Sequence, residues 1–227
     1  SSELGGGNAP LDVTNATAGA GVISITANLY AAAALKADGS VSVWGFSSYG
    51  GADAPTSVTN PSIGAEVISI ASTYGAFAAL KADGSVSAWG DADEGGATPP
   101  SDVTDPTEGA RVLSIASSQG AFAALKADGS ISAWGAAANG GTGVPADLMS
   151  PVDTKVTAIV STYVSFAALK ADGSISAWGA AASGGTAPAQ VTQPNPVESD
   201  KVASIASTLC AFAALTVNGS VIAWGGS

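Results

Sequence analysis

The chain contains no histidine among its 227 residues, and only one cysteine and one methionine. Without histidine there is no Ser/His/Asp or Cys/His catalytic arrangement, and no imidazole to bind metal or titrate near neutral pH. The lone Cys210 excludes an intrachain disulfide and a thiolate metal cluster. Its neighbours Leu209, Ala211 and Phe212 make it read as a small buried hydrophobe. Basic residues are scarce too: 7 Lys and Arg stand against 18 Asp and Glu, a net charge of −11. Such a surface repels phosphate backbones and anionic lipid heads, so neither nucleic acid nor a membrane is an expected partner. No apolar run approaches the roughly 18–20 residues that span a bilayer. The sequence opens on Ser1 without a methionine or a secretory leader, which reads as a processed or trimmed product.

What is present is a repeat. The phrase AALKADGSVSVWG ends at Gly45; near copies end at Gly90, Gly135, Gly179 and Gly225. All five tryptophans (Trp44, Trp89, Trp134, Trp178, Trp224) hold one place in it, spaced by 45, 45, 44 and 46 residues. A fixed period of this size means one supersecondary unit used repeatedly. It runs from end to end without a linker, so residues 1–227 read as a single domain.

Each repeat divides into four extended pieces. The first is a β-branched alternation such as Val22-Ile23-Ser24-Ile25 or Val67-Ile68-Ser69-Ile70, the pattern of a half-buried strand. The second, as in Ala76–Lys81, leads into Asp-Gly, replaced in the last copy by Asn218-Gly219; these dipeptides predict a hairpin with a type I′ turn. The third is the run ending in Trp-Gly. A fourth, weaker piece (11–14, 56–59, 101–104, 146–149, 189–192) is fenced by prolines and reads as a short edge strand. The predicted fold is all-β: a β-propeller of five blades, each of four antiparallel strands. Ser1–Gly7 resembles the segment after the first tryptophan, Phe46–Gly51, and the chain stops soon after the last Trp-Gly. Pairing of the N- and C-terminal segments would close the ring and hide two sheet edges. An excerpt from a longer array would read the same.

The motif Leu-Lys-x-Asp-Gly-x-Val/Ile-x-x-Trp-Gly, preceded by a Val-x-x-Ile-Ala strand, resembles the repeat of the regulator of chromosome condensation family over essentially the whole chain. The resemblance implies a propeller, although members are usually seven-bladed with longer repeats. It also marks departures. The family's loop histidine is missing, and its Gly-Gln-Leu-Gly after Trp-Gly shrinks to pairs such as Gly50-Gly51 and Gly95-Gly96. No position here matches the residues that carry guanine-nucleotide exchange in that family. What the resemblance leaves is a rigid, non-enzymatic scaffold that binds another protein, as an accessory subunit of a larger assembly. A five-bladed carbohydrate binder, like the tachylectin-type lectins, is the alternative, and a nucleotide exchanger ranks below it.

Candidate binding residues are those that break the repeat. Scaffold positions must recur to keep the geometry, whereas a loop position that varies is free to specialise. One such position reads Leu29, Tyr74, Gln119, Tyr163, Leu209. The glycine loop reads Phe46 and Tyr49 in the first copy, Asp91, Asp93 and Glu94 in the second, and plain alanine in the third and fourth. Aromatics on rigid loops are favoured interface anchors. The acidic loop has some carboxylates for calcium but lacks the remaining ligands of a calcium loop, and no metal or other cofactor is expected. The tryptophans, fixed at strand ends, read as packing between sheets rather than as sugar platforms. The lysines before each Asp-Gly turn read as solvated.

Overall fold

In the computed structural model the described residues are 7–15, 21–97, 99–150, 154–193 and 197–226. The chain divides into two compact units, Ser1–Ile115 and Ala116–Ser227. Among the described residues, fifteen strands form five separate three-stranded antiparallel sheets, one per repeat and each in chain order. They are β1 Val22–Ala27, β2 Ala31–Lys36 and β3 Val41–Gly45; β4 Val67–Ser72, β5 Ala76–Lys81 and β6 Val86–Gly90; β7 Val112–Ser117, β8 Ala121–Lys126 and β9 Ile131–Gly135; β10 Val156–Ser161, β11 Ser165–Lys170 and β12 Ile175–Gly179; β13 Val202–Ser207, β14 Ala211–Thr216 and β15 Val221–Gly225.

The register explains the invariance of the motif. The second strand of each repeat is central and carries the alanines, whose small side chains let neighbouring sheets approach. Phe77, Phe122, Phe166 and Phe212 pair directly with Trp89, Trp134, Trp178 and Trp224 across the strands, their ring centroids 5.2–5.4 Å apart. These tryptophans are buried, in line with packing rather than sugar stacking. The indole N–H of Trp89 donates to the carbonyl of Gly50 in the loop of the preceding repeat (3.1 Å); Trp178 and Trp224 do the same to Gly140 and Gly184 (3.0 Å each). The glycine is required there, because a Cβ on Gly140 would fall 2.7 Å from the Phe166 ring.

Two local expectations are corrected. The fourth piece of each repeat is a single helical turn, not a strand: α1 Leu11–Thr14, α2 Thr56–Thr59, α3 Ser101–Thr104, α4 Ala146–Met149 and α5 Ala189–Thr192. Each follows a proline whose carbonyl accepts the first turn's amides, as Pro55 does from Val58 (2.9 Å) and Thr59 (3.1 Å). One apolar residue per turn, Val58, Val103, Leu148 or Val191, reaches the core, so a single turn is enough to anchor the segment. The sheets therefore have three strands rather than four. The Asp-Gly hairpins, in turn, are not type I′. Only the glycine has positive φ (78° at Gly39), while the Asp38 carboxylate accepts from the Ser40 amide (2.9 Å) and hydroxyl (2.7 Å). The Gly39 amide donates to Lys36 and the Lys36 amide to Ser40 (2.9 Å each), a three-residue loop ending in a left-handed glycine.

The lysines are also better tied down than expected. Lys36 pairs with Asp12 of α1 (2.9 Å), which also accepts from Ser42; Lys170 pairs with Asp147 of α4 (3.0 Å), which also accepts from Ser176. Cys210 is half-exposed rather than buried. The expected closure of the ring does not show as a closed sheet, and residues 1–6, on which the terminal pairing rests, lie outside the described residues.

Candidate functional site

The variable position between the first two strands of a repeat is held through its backbone. The Leu29 amide donates to the Tyr74 carbonyl (3.5 Å), Gln119 to Tyr163 (2.7 Å) and Tyr163 to Leu209 (2.9 Å). In these three pairs main-chain groups lock one loop to the next, so the side chains can change without disturbing the scaffold. Leu29, Tyr163 and Leu209 are exposed, and Tyr74 and Gln119 are half-buried.

In the first unit these loops converge on an aromatic cluster. Tyr30 lies at its centre, 4.4 Å from Tyr49, 5.9 Å from Phe46 and 6.0 Å from Tyr74, with edge-on contacts to the last two. Asn28 organises it: its carboxamide oxygen accepts from the amides of Tyr30 (2.9 Å) and Ala31 (2.7 Å), and its NH2 donates to the Tyr49 carbonyl (2.8 Å). The Phe46 amide closes the arrangement on the Tyr30 carbonyl (3.0 Å). Phe46 is 39% exposed, a large apolar surface on an otherwise polar loop. Sequence comparison of the repeats singled out Phe46, Tyr49 and Tyr74 but missed Tyr30. The signal was present, because the same place in the other copies holds Gly75, Gly120, Val164 and Cys210.

The acidic loop of the second repeat adjoins the cluster. A Cβ on Gly75 would lie 2.7 Å from the Tyr49 ring, 3.2 Å from Asp91 and 3.2 Å from the Glu94 carboxylate, so all three side chains meet over that glycine. Asp91 accepts from the Asp93 amide (2.9 Å), and the Glu94 carbonyl accepts from the Thr73 hydroxyl (2.9 Å). One Glu94 carboxylate oxygen is buried without a hydrogen-bond partner. Burial, and then the negative charge of Asp91, push the Glu94 carboxyl above its ordinary value against the pull of the Gly75 amide. Among the described residues no group of three or more His, Cys, Asp or Glu side chains is placed to hold a metal ion. In the second unit, Gln119 receives a bond from the Asn139 carboxamide (3.3 Å), while Tyr163 and Leu209 project from adjoining loops flanked by Ala136–Ala138 and Ala180–Ala182. Of the ten expected site residues, seven thus gather in the first unit and three in the second.

No family model and no curated protein sequence matches the chain. Solved structures do. Human WBSCR16 superposes with a TM-score of 0.58 at 20% identity, over 90% of this chain and 61% of its own. Prp20p of Saccharomyces cerevisiae, the yeast RCC1, gives 0.57 at 19%, over 91% and 58%. At these identities the likeness is one of fold alone, to RCC1-like β-propeller structures. The CRINKLY ectodomain of the Arabidopsis thaliana receptor kinase ACR4 gives 0.51 at 17%, over 93% and 66%. The chain spans less than two thirds of each of these proteins.

Proposed function

We propose that the chain is a non-enzymatic protein-binding scaffold that takes its partner on the aromatic cluster Tyr30, Phe46, Tyr49 and Tyr74 with the flanking Asp91, Asp93 and Glu94. The observation that carries this reading is the separation of duties in the loops: backbone bonds recur at the variable position, while side chains diverge and gather in the first unit into one aromatic patch, with Phe46 exposed and the three tyrosines half-buried. Tyrosines on a braced loop offer large contact area at small entropic cost, which suits protein recognition. Structures of similar fold are consistent with it: the yeast RCC1 has been crystallised bound to Kap60, and Prp20p is described by its binding to Gsp1p and histones. The net charge of −11 favours a partner with basic groups and disfavours nucleic acid. The role is that of an accessory subunit in a larger assembly.

The test is purification from the native source with the chain as bait, followed by mass identification of bound proteins. Wild-type bait should retain a partner that a Tyr30→Ala/Tyr74→Ala bait loses while its circular dichroism stays unchanged. Equal retention by both baits would refute this face. A glycan array decides the carbohydrate alternative, for which binding to a defined glycan without any protein partner is the required result.

A further inference from the structure

The lysine before the Asp-Gly turn is satisfied in the same way in more than one repeat. In the first, the Asp12 carboxylate of α1 accepts from both the Lys36 ammonium (2.9 Å) and the Ser42 hydroxyl; in the fourth, Asp147 of α4 accepts from Lys170 (3.0 Å) and Ser176 (2.7 Å). Both lysine side chains are well covered, 11% and 12% exposed. The third repeat has the same three residue types at these places, Asp102, Lys126 and Ser132. In the fifth, acid and base are exchanged together, for Gln190 and Thr216, and the Thr216 hydroxyl turns to Asn218 (2.7 Å). No charge is stranded there.

The second repeat breaks the rule on one side only. Ser57 of α2 stands at the place of the aspartate, and its hydroxyl meets that of Ser87 (3.1 Å) rather than a lysine. Lys81 is kept and half-buried, yet it makes no ion pair or side-chain hydrogen bond among the described residues. A half-buried ammonium without a counter-ion is costly, and Ser57 is exposed, so an acid from outside can reach this place. Lys81 also borders a pocket of about 400 Å³, with Arg111 as a second cation and Asp83, Asp105 and Glu108 as its acids. Asp83 is already engaged, accepting from the Ser85 amide (2.9 Å) and hydroxyl (2.7 Å). Burial would raise the Asp83 carboxyl, but these bonds and the charges of Lys81 and Arg111 hold it below its ordinary value. Arg111, like Lys81, makes no ion pair among the described residues. All these residues belong to the first unit.

We propose that the second repeat binds a carboxylate-bearing ligand at Lys81, the incoming acid doing there what Asp12 and Asp147 do in their own repeats. A carboxylate is the group that satisfies this lysine in the first and fourth repeats, and the serine that shares it is retained as Ser87. The body of the ligand lies in the adjoining pocket, where Arg111 offers a second contact. Asp105 and Glu108 are exposed at its rim and repel a dianion, which selects a singly charged carboxylate over a phosphate. The site shares no residue with the aromatic cluster, so the two readings stand or fall separately.

The test titrates the whole ¹⁵N-labelled chain, at constant ionic strength, with N-acetylglycine, with the capped peptide acetyl-Gly-Asp-Gly-amide, and with inorganic phosphate. A carboxylate should shift the amide resonances of Lys81, Ser87 and Arg111 to saturation. A response to N-acetylglycine assigns the acid to a small free ligand, and a response to the peptide alone assigns it to a protein side chain. Ser57→Asp supplies the acid from within the chain and should weaken the binding at least about ten-fold. Lys81→Thr introduces the residue type that the fifth repeat already has at this place and should abolish the shifts, with circular dichroism verifying that both variants fold. No saturable shift with either carboxylate overturns the proposal. So does an equal response to phosphate, or binding undiminished in folded Ser57→Asp and Lys81→Thr.

Discussion

Two glycines in equivalent turns offer a controlled experiment on the packing between repeats. Gly129 and Gly219 have nearly the same left-handed backbone, with φ of 85° and 88°, so alanine brings the same conformational strain to both, about 1–2 kcal/mol. Their surroundings differ. A Cβ at 129 would lie 2.5 Å from Lys155 Cβ and 2.8 Å from its Cα, while at 219 it would enter open space. Contacts between carbon atoms settle near 3.5–4.0 Å, so relief at 129 means moving backbone by about an ångström, at a further cost of about 1–3 kcal/mol. Gly129→Ala should therefore lose about 2–5 kcal/mol and Gly219→Ala about 1–2 kcal/mol. Urea unfolding of dilute protein, followed by tryptophan fluorescence, reads the difference as separated midpoints. Coincident midpoints would refute the claim that each turn is clamped by the next repeat.

Other expectations follow from single contacts. Trp178→Phe keeps the ring stack but leaves the Gly140 carbonyl without its donor (3.0 Å), which should destabilise by about 1–3 kcal/mol in the same urea assay. Burial would raise the Asp172 carboxyl, but the amide and hydroxyl of Ser174 and the charge of Lys170 outweigh it and hold the group below its ordinary value. A carboxyl lowered in the folded state stabilises above its unfolded pKa and loses that contribution as pH falls. Asp172→Asn should thus flatten the acid side of the stability profile without opening the turn, because Asn218 already accepts the Ser220 amide (2.9 Å) in the last repeat. Glu94 runs the opposite way: its raised carboxyl takes stability away as pH climbs from about the ordinary carboxylate value. Glu94→Gln should make the protein more stable at neutral pH than at pH 4 relative to wild type, as thermal melts across that range would record.

Much of the architecture was legible because the repeat reports its own constraints. Identical Trp-Gly endings required an identical environment, and the Phe–Trp pairs and indole bonds to the glycine loop supply it. The alternating Val-Ile-Ser-Ile runs are strands because period two matches the pleat. The fourth piece was misread because Leu-Asp-Val-Thr carries β-branched residues but is too short for periodicity to decide. The preceding proline, whose carbonyl accepts the turn's amides, settles it as helix. The turn type was misread because Asp-Gly serves both hairpin classes, and the carboxylate bond to Ser40 selects the longer loop. The aromatic cluster was half read: divergence between copies found Phe46, Tyr49 and Tyr74, while Tyr30 diverges just as clearly but stands out as the centre only once Asn28 folds the loop back on itself.

The most direct measurement of the central claim is amide hydrogen exchange of the chain with and without the partner captured from its native source. Protection confined to the loops at residues 28–31, 46–51, 73–76 and 91–96 is the result expected of recognition by divergent loops on a repeated frame. Protection concentrated instead at the Asp-Gly turns, with those loops unchanged, would contradict it.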